Sequence, residues 1–221
     1  FKETFYHKGG GVGQTPDYWN NDYQNDIYFR NGEPEESNGY CTDVFFDEAI
    51  SFINKNKENP FLCFLSLNAP HSPFNVPKEY YELYENESDL LESQKRFYGM
   101  ITNIDDNFGK LHQNVKSLGI LDNTIIIFTT DNGTSNGYKY SKKDKKWLGF
   151  NAGMRGTKTS EYDGGHRVPF IIKWKKGGLF GGHNYSGLSA HVDMLPTLLS
   201  FAKIAFNSTK KIDGTDLSKH V

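Results

Sequence analysis

Residues 123–133 read Asn-Thr-Ile-Ile-Ile-Phe-Thr-Thr-Asp-Asn-Gly, and this run constrains the fold more than any other. From Thr124 to Thr130 every side chain is β-branched or aromatic, with no charge, Gly or Pro. A run with no polar face suits a strand covered on both sides, as in a parallel sheet beneath helices. The chain then turns polar at Asp131-Asn132-Gly133. In open α/β sheets ligands bind just beyond the carboxyl ends of the strands. A carboxylate beside an amide oxygen offers two hard donors of the kind Ca2+ or Mg2+ takes. Read alone, Asn132-Gly133 is equally an ordinary turn, so the neighbouring segments have to decide.

Those segments alternate helix and strand signals. Thr42 is placed to cap a helix in which Phe45, Ala49, Phe52 and Ile53 recur at helical spacing, with Asn59-Pro60 ending it. Phe61–Leu67 is a second apolar run and reads as a strand. It leads into Asn68-Ala-Pro-His71-Ser-Pro-Phe74, where two prolines stiffen the loop around His71. A histidine fixed in that way is a candidate for proton transfer or anion contact. Leu90–Leu118 reads as one long helix with a stripe of Phe97, Ile101, Ile104, Phe108, Leu111, Val115 and Leu118, and Gly119 stands at its C′ position. The stripe fits a helix lying on a sheet, with a coiled coil as the other choice. Thr134–Phe150 reads as a polar loop and Val168–Trp174 as a third core strand. Asp193 stands at or near the N-cap of a last helix. The order implies a layered α/β fold with a mainly parallel sheet.

Residues 1–40 show no lasting period and read as ordered loop. Tyr6, Tyr18, Trp19 and Tyr23 could line a cleft or simply pack. Gly9-Gly10-Gly11-Val12-Gly13 is not a phosphate loop, because no strand precedes it and no Lys-Ser/Thr ends it. The chain has 221 residues and a net charge of −2, which gives no basic field for nucleic acid. The Lys142–Lys146 cluster reads as a solvated loop. No apolar run approaches the ~18 residues of a membrane span. The two cysteines, Cys41 and Cys63, form neither a disulfide framework nor a zinc pattern, and read as inert thiols. Asn86, Asn184 and Asn207 begin sequons that permit glycosylation if the protein is secreted.

Taken together, the motifs resemble the sulfatase family of the alkaline-phosphatase-like superfamily. Gly39-Tyr-Cys-Thr-Asp43, Ala69-Pro-His-Ser-Pro73, Asp131-Asn-Gly133, Arg155-Gly-Thr-Lys158, Tyr162-Asp-Gly-Gly-His-Arg-Val-Pro169 and Asp193-Met-Leu-Pro-Thr197 follow in family order. Family members usually carry Glu where this chain has Asp163. The resemblance implies a three-layer α/β/α fold, here incomplete, with residues 1–40 as a loop-rich cleft segment, 41–205 as core and 206–221 as an exit towards a C-terminal subdomain. It implies that Asp131 and Asn132 ligate a divalent cation, usually Ca2+ with Mg2+ as the alternative. It also implies that Lys158 and His71 contact the sulfate and the bridging oxygen. The chemistry agrees: sulfate ester cleavage needs stabilised equatorial oxygens and a proton or positive charge at the departing oxygen.

The family nucleophile, a formylglycine made in a Cys-x-Pro-x-Arg context, has no counterpart at Cys41 or Cys63. The expectation is therefore an internal piece of a longer sulfatase that does not turn over alone. The substrate would be a sulfated small molecule or carbohydrate, and the setting secreted, periplasmic or lysosomal; oligomeric state is not readable. Two other readings stay open. One is a phosphomonoesterase, phosphodiesterase or phosphotransferase of the same superfamily. The other is a non-catalytic relative that binds sulfated glycans.

Overall fold

The computed structural model describes residues 1–206 and 209–220, so the start of the Asn207 sequon lies outside the described residues. The chain divides into two units, residues 1–120 with 129–169 and residues 121–128 with 170–221. The α/β class expected from the sequence holds, with the described strands gathered into three small sheets.

The first unit opens on a sheet where loop was expected. Strands β1 (Phe5–Tyr6), β2 (Ile27–Arg30) and β3 (Glu33–Glu36) pair antiparallel, with β2 in the centre. The turn between β2 and β3 is Asn31-Gly32, both at positive φ of 53° and 99°. That is the Asn-Gly hairpin signal, hidden in a stretch without regular period. Pro34 is tolerated because β3 is an edge strand. Arg30 ties this sheet to the next helix, bonding Glu35 at 2.6 Å and Glu48 at 3.0 Å.

Helix α1 (Cys41–Asn56) ends where Asn59-Pro60 required, but Thr42 is not its cap. Tyr40 holds that position, and Thr42 Oγ1 is buried in the first turn without a partner. The N–H of Cys41, one of the orphan donors at the helix start, goes instead to the Tyr23 carbonyl at 2.8 Å. A short helix not foreseen from the sequence, α2 (Lys78–Glu82), precedes α3 (Glu92–Ser117). Helix α3 closes with Gly119 at φ 73°, Gly119 N–H on Lys116 O and Ile120 N–H on Val115 O, which is a Schellman motif.

The buried face of α3 lies to one side of the expected stripe. Ile101 is 40% exposed, whereas Met100, Asn103 and Asn107 are at or below 1%. The two asparagines point their amides at one oxygen of Asp43 on α1, at 2.8 and 2.6 Å. Asp43→Ala would strand both amides, and a loss of about 3 kcal/mol is expected. Urea unfolding checks this; a change below about 0.5 kcal/mol would contradict the role given to Asp43.

Phe61–Leu67 is extended but forms no ladder among the described residues, a correction to the strand reading. Leu65 and Leu67 pack on the core around Tyr28, Phe45 and Met100, while Leu62 and Phe64 stay 66% and 74% exposed. Residues 134–150, expected as loop, form a hairpin of β5 (Tyr138–Ser141) and β6 (Lys146–Gly149). Helix α4 (Asp163–His166) is a single turn.

Strand β4 (Ile126–Thr129), which lies in the second unit up to Phe128, pairs with β7 (Phe170–Lys173); each is shorter than its apolar run, and β4 is half-buried with Thr129 exposed, not covered on both faces as expected. Phe170 and Ile171 are 43% and 61% exposed, so Val168–Trp174 is not a fully buried strand. Helix α5 (Met194–Phe201) has Asp193 at its N-cap position, but that side chain does not cap it. It accepts Ala190 N–H and Thr215 N–H, each at 2.7 Å, and these bonds hold its carboxyl below the usual range. A depressed folded pKa stabilises above the unfolded value of about 3.9 and is lost as pH falls through the folded value. Asp193→Asn is therefore expected to flatten the fall in stability below about pH 4, read by acid unfolding. No helix of the described residues is long and apolar enough to cross a membrane.

Candidate active site

The four residues singled out from the sequence all lie in the first unit, on three loops. Asp131 follows the end of β4 by two residues and is exposed. One of its oxygens accepts the Asn132 N–H at 2.9 Å. The Asn132 amide nitrogen is used on the Gly133 carbonyl at 2.9 Å. Among the described residues, this leaves Asp131 Oδ2 and Asn132 Oδ1 uncommitted, two acceptors side by side.

The Lys158 loop is locked to this one through backbone. Lys158 N–H donates to Thr134 O at 2.9 Å, and Gly133 N–H to Gly165 O at 2.9 Å. The lysine loop folds on itself by Gly164 N–H to Arg155 O at 2.8 Å. The Arg155 guanidinium sits 3.5 Å over the Tyr162 ring. Gly133 and Gly164 are required for this approach. A Cβ on Gly133 would collide with Gly164 O, and one on Gly164 with Gly156 O. Lys158 is half-buried, and among the described residues its ammonium has no ion-pair partner. Asp163 begins α4 and pairs with Arg167 at 3.4 Å.

Two groups meet His71 Nδ1, the Ser72 carbonyl at 2.8 Å and the Gln14 side-chain amide nitrogen at 3.3 Å. The shorter contact, to an atom that only accepts, suits a proton on Nδ1 and leaves Nε2 outside both contacts. Tyr23 O–H donates to the His71 carbonyl at 3.0 Å, and Asn68 Nδ2 donates in turn to Tyr23 Oη. Burial raises the Tyr23 phenol, keeping it neutral and a donor. Gln14 adds a bond to the Ser72 carbonyl at 3.1 Å.

Gln14, Tyr23 and Thr134 are thus site supports that the sequence did not single out in that role. The signal for the first was present in Gly9–Gly13. That run is packed so closely on the His71 loop that a Cβ at Gly11 would meet Asn68 Oδ1 at 2.7 Å. Of the four aromatics weighed as cleft or packing, Tyr23 is a buried strut. Tyr18 and Trp19 line a cleft of about 740 Å3 with Lys8, Asp17 and Phe29, and none of the four candidate residues borders it.

Two loops are therefore joined directly, those of Asp131-Asn132 and Lys158. The His71 loop reaches them through packing: Phe74 lies edge-on to Phe97 of α3 at 6.0 Å, and the Phe97 ring lies against Gly137. Among the described residues no hydrogen bond or ion pair links His71 to the other two loops. For a cation the fit is partial. Two free oxygens are a fraction of the six to eight that Ca2+ takes, and no group of three His, Cys, Asp or Glu gathers among the described residues. Neither thiol is poised as a nucleophile: burial pushes Cys41 up to about 12 and also raises Cys63.

An α/β core with an acid–amide pair and a lysine on abutting loops narrows the class, and comparison shows which. Superposition on the crystal structure of Ps i-CgsB in complex with k-i-k-neocarrahexaose gives a TM-score of 0.80 at 28% identity, over 98% of this chain and 49% of that one. The fold is thus that of the alkaline-phosphatase-like enzymes. The chain belongs to the sulfatase family, whose profile matches residues 2–204. It is 32% identical to the uncharacterized sulfatase YdeN of Escherichia coli, over 88% of this chain and 33% of that protein. It is 30% identical to the N-acetylgalactosamine-6-sulfatase of Rattus norvegicus, over 80% and 31% respectively. The chain spans about a third of these curated relatives.

Proposed function

We propose that the protein serves hydrolysis of sulfate monoesters carried by carbohydrates. The observation that carries this reading is that the loop of Lys158, whose ammonium has no ion-pair partner among the described residues, is bonded through its backbone to the loop of Asp131 and Asn132. A cation on the Asp131 and Asn132 oxygens and the lysine ammonium would together offset charge on the sulfate oxygens as the ester bond breaks. Asp131 and Asn132 would hold Ca2+ or Mg2+ in part, and the cation would supply Lewis-acid chemistry there.

His71 acts at the departing oxygen. Nδ1 is engaged by the Ser72 carbonyl and the Gln14 amide, so Nε2 is the atom through which a proton would reach the leaving group. The buried Tyr23 phenol orients the loop and takes no part in proton transfer. Burial raises both thiols, so neither Cys41 nor Cys63 is assigned as the nucleophile; a formylglycine is the nucleophile the family resemblance implies. The carbohydrate assignment draws on two relatives, an N-acetylgalactosamine-6-sulfatase and a structure that holds a neocarrahexaose. A secreted, periplasmic or lysosomal setting accords with the exposed sequons at Asn86 and Asn184.

Turnover of 4-nitrophenyl sulfate against 4-nitrophenyl phosphate by the full-length protein tests this. Preference for the sulfate is expected. Preference for the phosphate would assign the site to phosphoryl chemistry instead.

A further inference from the structure

The hairpin β5–β6 has no part in the chemistry above, yet it grows from the same clasp. Thr134 O holds the Lys158 N–H, and Thr134 Oγ1 accepts the Gly137 N–H at 2.7 Å, one residue before β5. The hairpin is anchored on one side only. Gln94, fully buried in α3, donates to Leu148 O at 2.8 Å, and Tyr98 O–H donates to Gly137 O at 2.6 Å. Leu148 and Ser141 are buried on that side.

The other face is an open aromatic platform. Tyr140 pairs with Trp147 across the ladder. Tyr138 stacks on Trp147 at 4.9 Å and 16°, and Tyr140 meets it edge-on at 5.8 Å. Tyr140 and Trp147 nevertheless stay 45% and 53% exposed. The tip is rigid and cationic. Ser141 Oγ donates to Asp144 at 2.6 Å and accepts the Asp144 N–H at 3.1 Å, and Lys145 takes a positive φ of 54°. Lys142, Lys143 and Lys145 are exposed and, among the described residues, have no ion-pair partner, whereas Lys146 is matched by Asp89 at 3.1 Å.

Packing explains the anchored face but not this one. The turn carries three lysines against the one carboxylate of Asp144, an excess of positive charge, and exposed Trp and Tyr add nothing to a core. The combination fits a ligand with apolar ring faces for the aromatics and fixed negative groups for the lysines. We propose that the β5–β6 hairpin is a secondary binding site for a sulfated polysaccharide, gripping chain sulfates other than the one cleaved. This rests on the sulfatase reading and makes the substrate a polymer rather than a small ester.

Binding of dextran sulfate and of unsulfated dextran, followed by calorimetry on the full-length protein, tests the proposal. Dextran sulfate is expected to bind and dextran not. The triple variant K142Q/K143Q/K145Q is expected to bind about tenfold more weakly with a flatter salt dependence. Tyr140→Ala should also weaken binding, which a purely ionic surface would not show. Unchanged affinity in the triple variant would overturn the proposal. So would equal binding of a single-stranded DNA oligonucleotide by the wild type, which would give the surface to nucleic acid. Failure to hydrolyse 4-nitrophenyl sulfate would sink the sulfatase reading separately, since the binding measurement needs no turnover.

Discussion

Lys158→Ala is expected to lower kcat for a sulfate ester by about 100- to 1,000-fold in the full-length protein. The backbone of Lys158 is fixed by Thr134 O, so the substitution removes the ammonium without freeing the loop. Because no carboxylate pairs with that ammonium among the described residues, its loss should leave stability nearly unchanged. Charge on the sulfate oxygens grows towards the transition state, so kcat should suffer more than KM. Lys158→Arg should recover part of the rate, keeping the charge but placing it on a broader, planar group. A kcat within about threefold of wild type would show that the lysine is an ordinary surface residue.

Gly164→Ala should be severely damaging. The added Cβ would collide with the carbonyl oxygens of Gly156 and Arg155, both backbone atoms. Neither can retreat easily, because Gly164 N–H is itself bonded to Arg155 O at 2.8 Å. A loss above about 3 kcal/mol is expected, together with loss of the loop contact that places Lys158 beside Asp131-Asn132. Gly109→Ala is the control: Gly109 lies within α3, and nothing stands within 4 Å of its would-be Cβ. That change should stabilise by about 0.5–1 kcal/mol. Thermal unfolding of the pair reads the contrast, and similar melting temperatures would contradict the clasp.

Local signals were legible where the physics is local. The charge-free run produced β4, the Gly119 signal produced a Schellman motif, and the acid–amide pair follows β4 as the sequence indicated. Periodicity misplaced the face of α3 because it counts apolar residues only. Asn103 and Asn107 are buried by virtue of Asp43, sixty or more positions away in sequence, and no pattern along one helix shows such a partner. Phe61–Leu67 has strand composition, but a strand also needs a ladder partner, which composition does not specify. The glycines of 9–13 were rightly denied a phosphate role. Their actual use, close approach to Asn68, depends on two segments meeting. The candidate site was legible chiefly through its motif order. Its supports, Gln14, Tyr23 and Thr134, act through a side-chain amide, a phenol and a backbone carbonyl of kinds that any sequence contains.

The most direct measurement is a crystal structure of the full-length protein with Ca2+ and a non-hydrolysed sulfate ester. The expected result is a cation held by Asp131 and Asn132 oxygens at about 2.3–2.6 Å, with Lys158 Nζ and His71 Nε2 both within hydrogen-bond reach of the same sulfate group. A sulfate ester bound elsewhere, or one touched by Lys158 while His71 stays beyond reach, would contradict a single shared pocket.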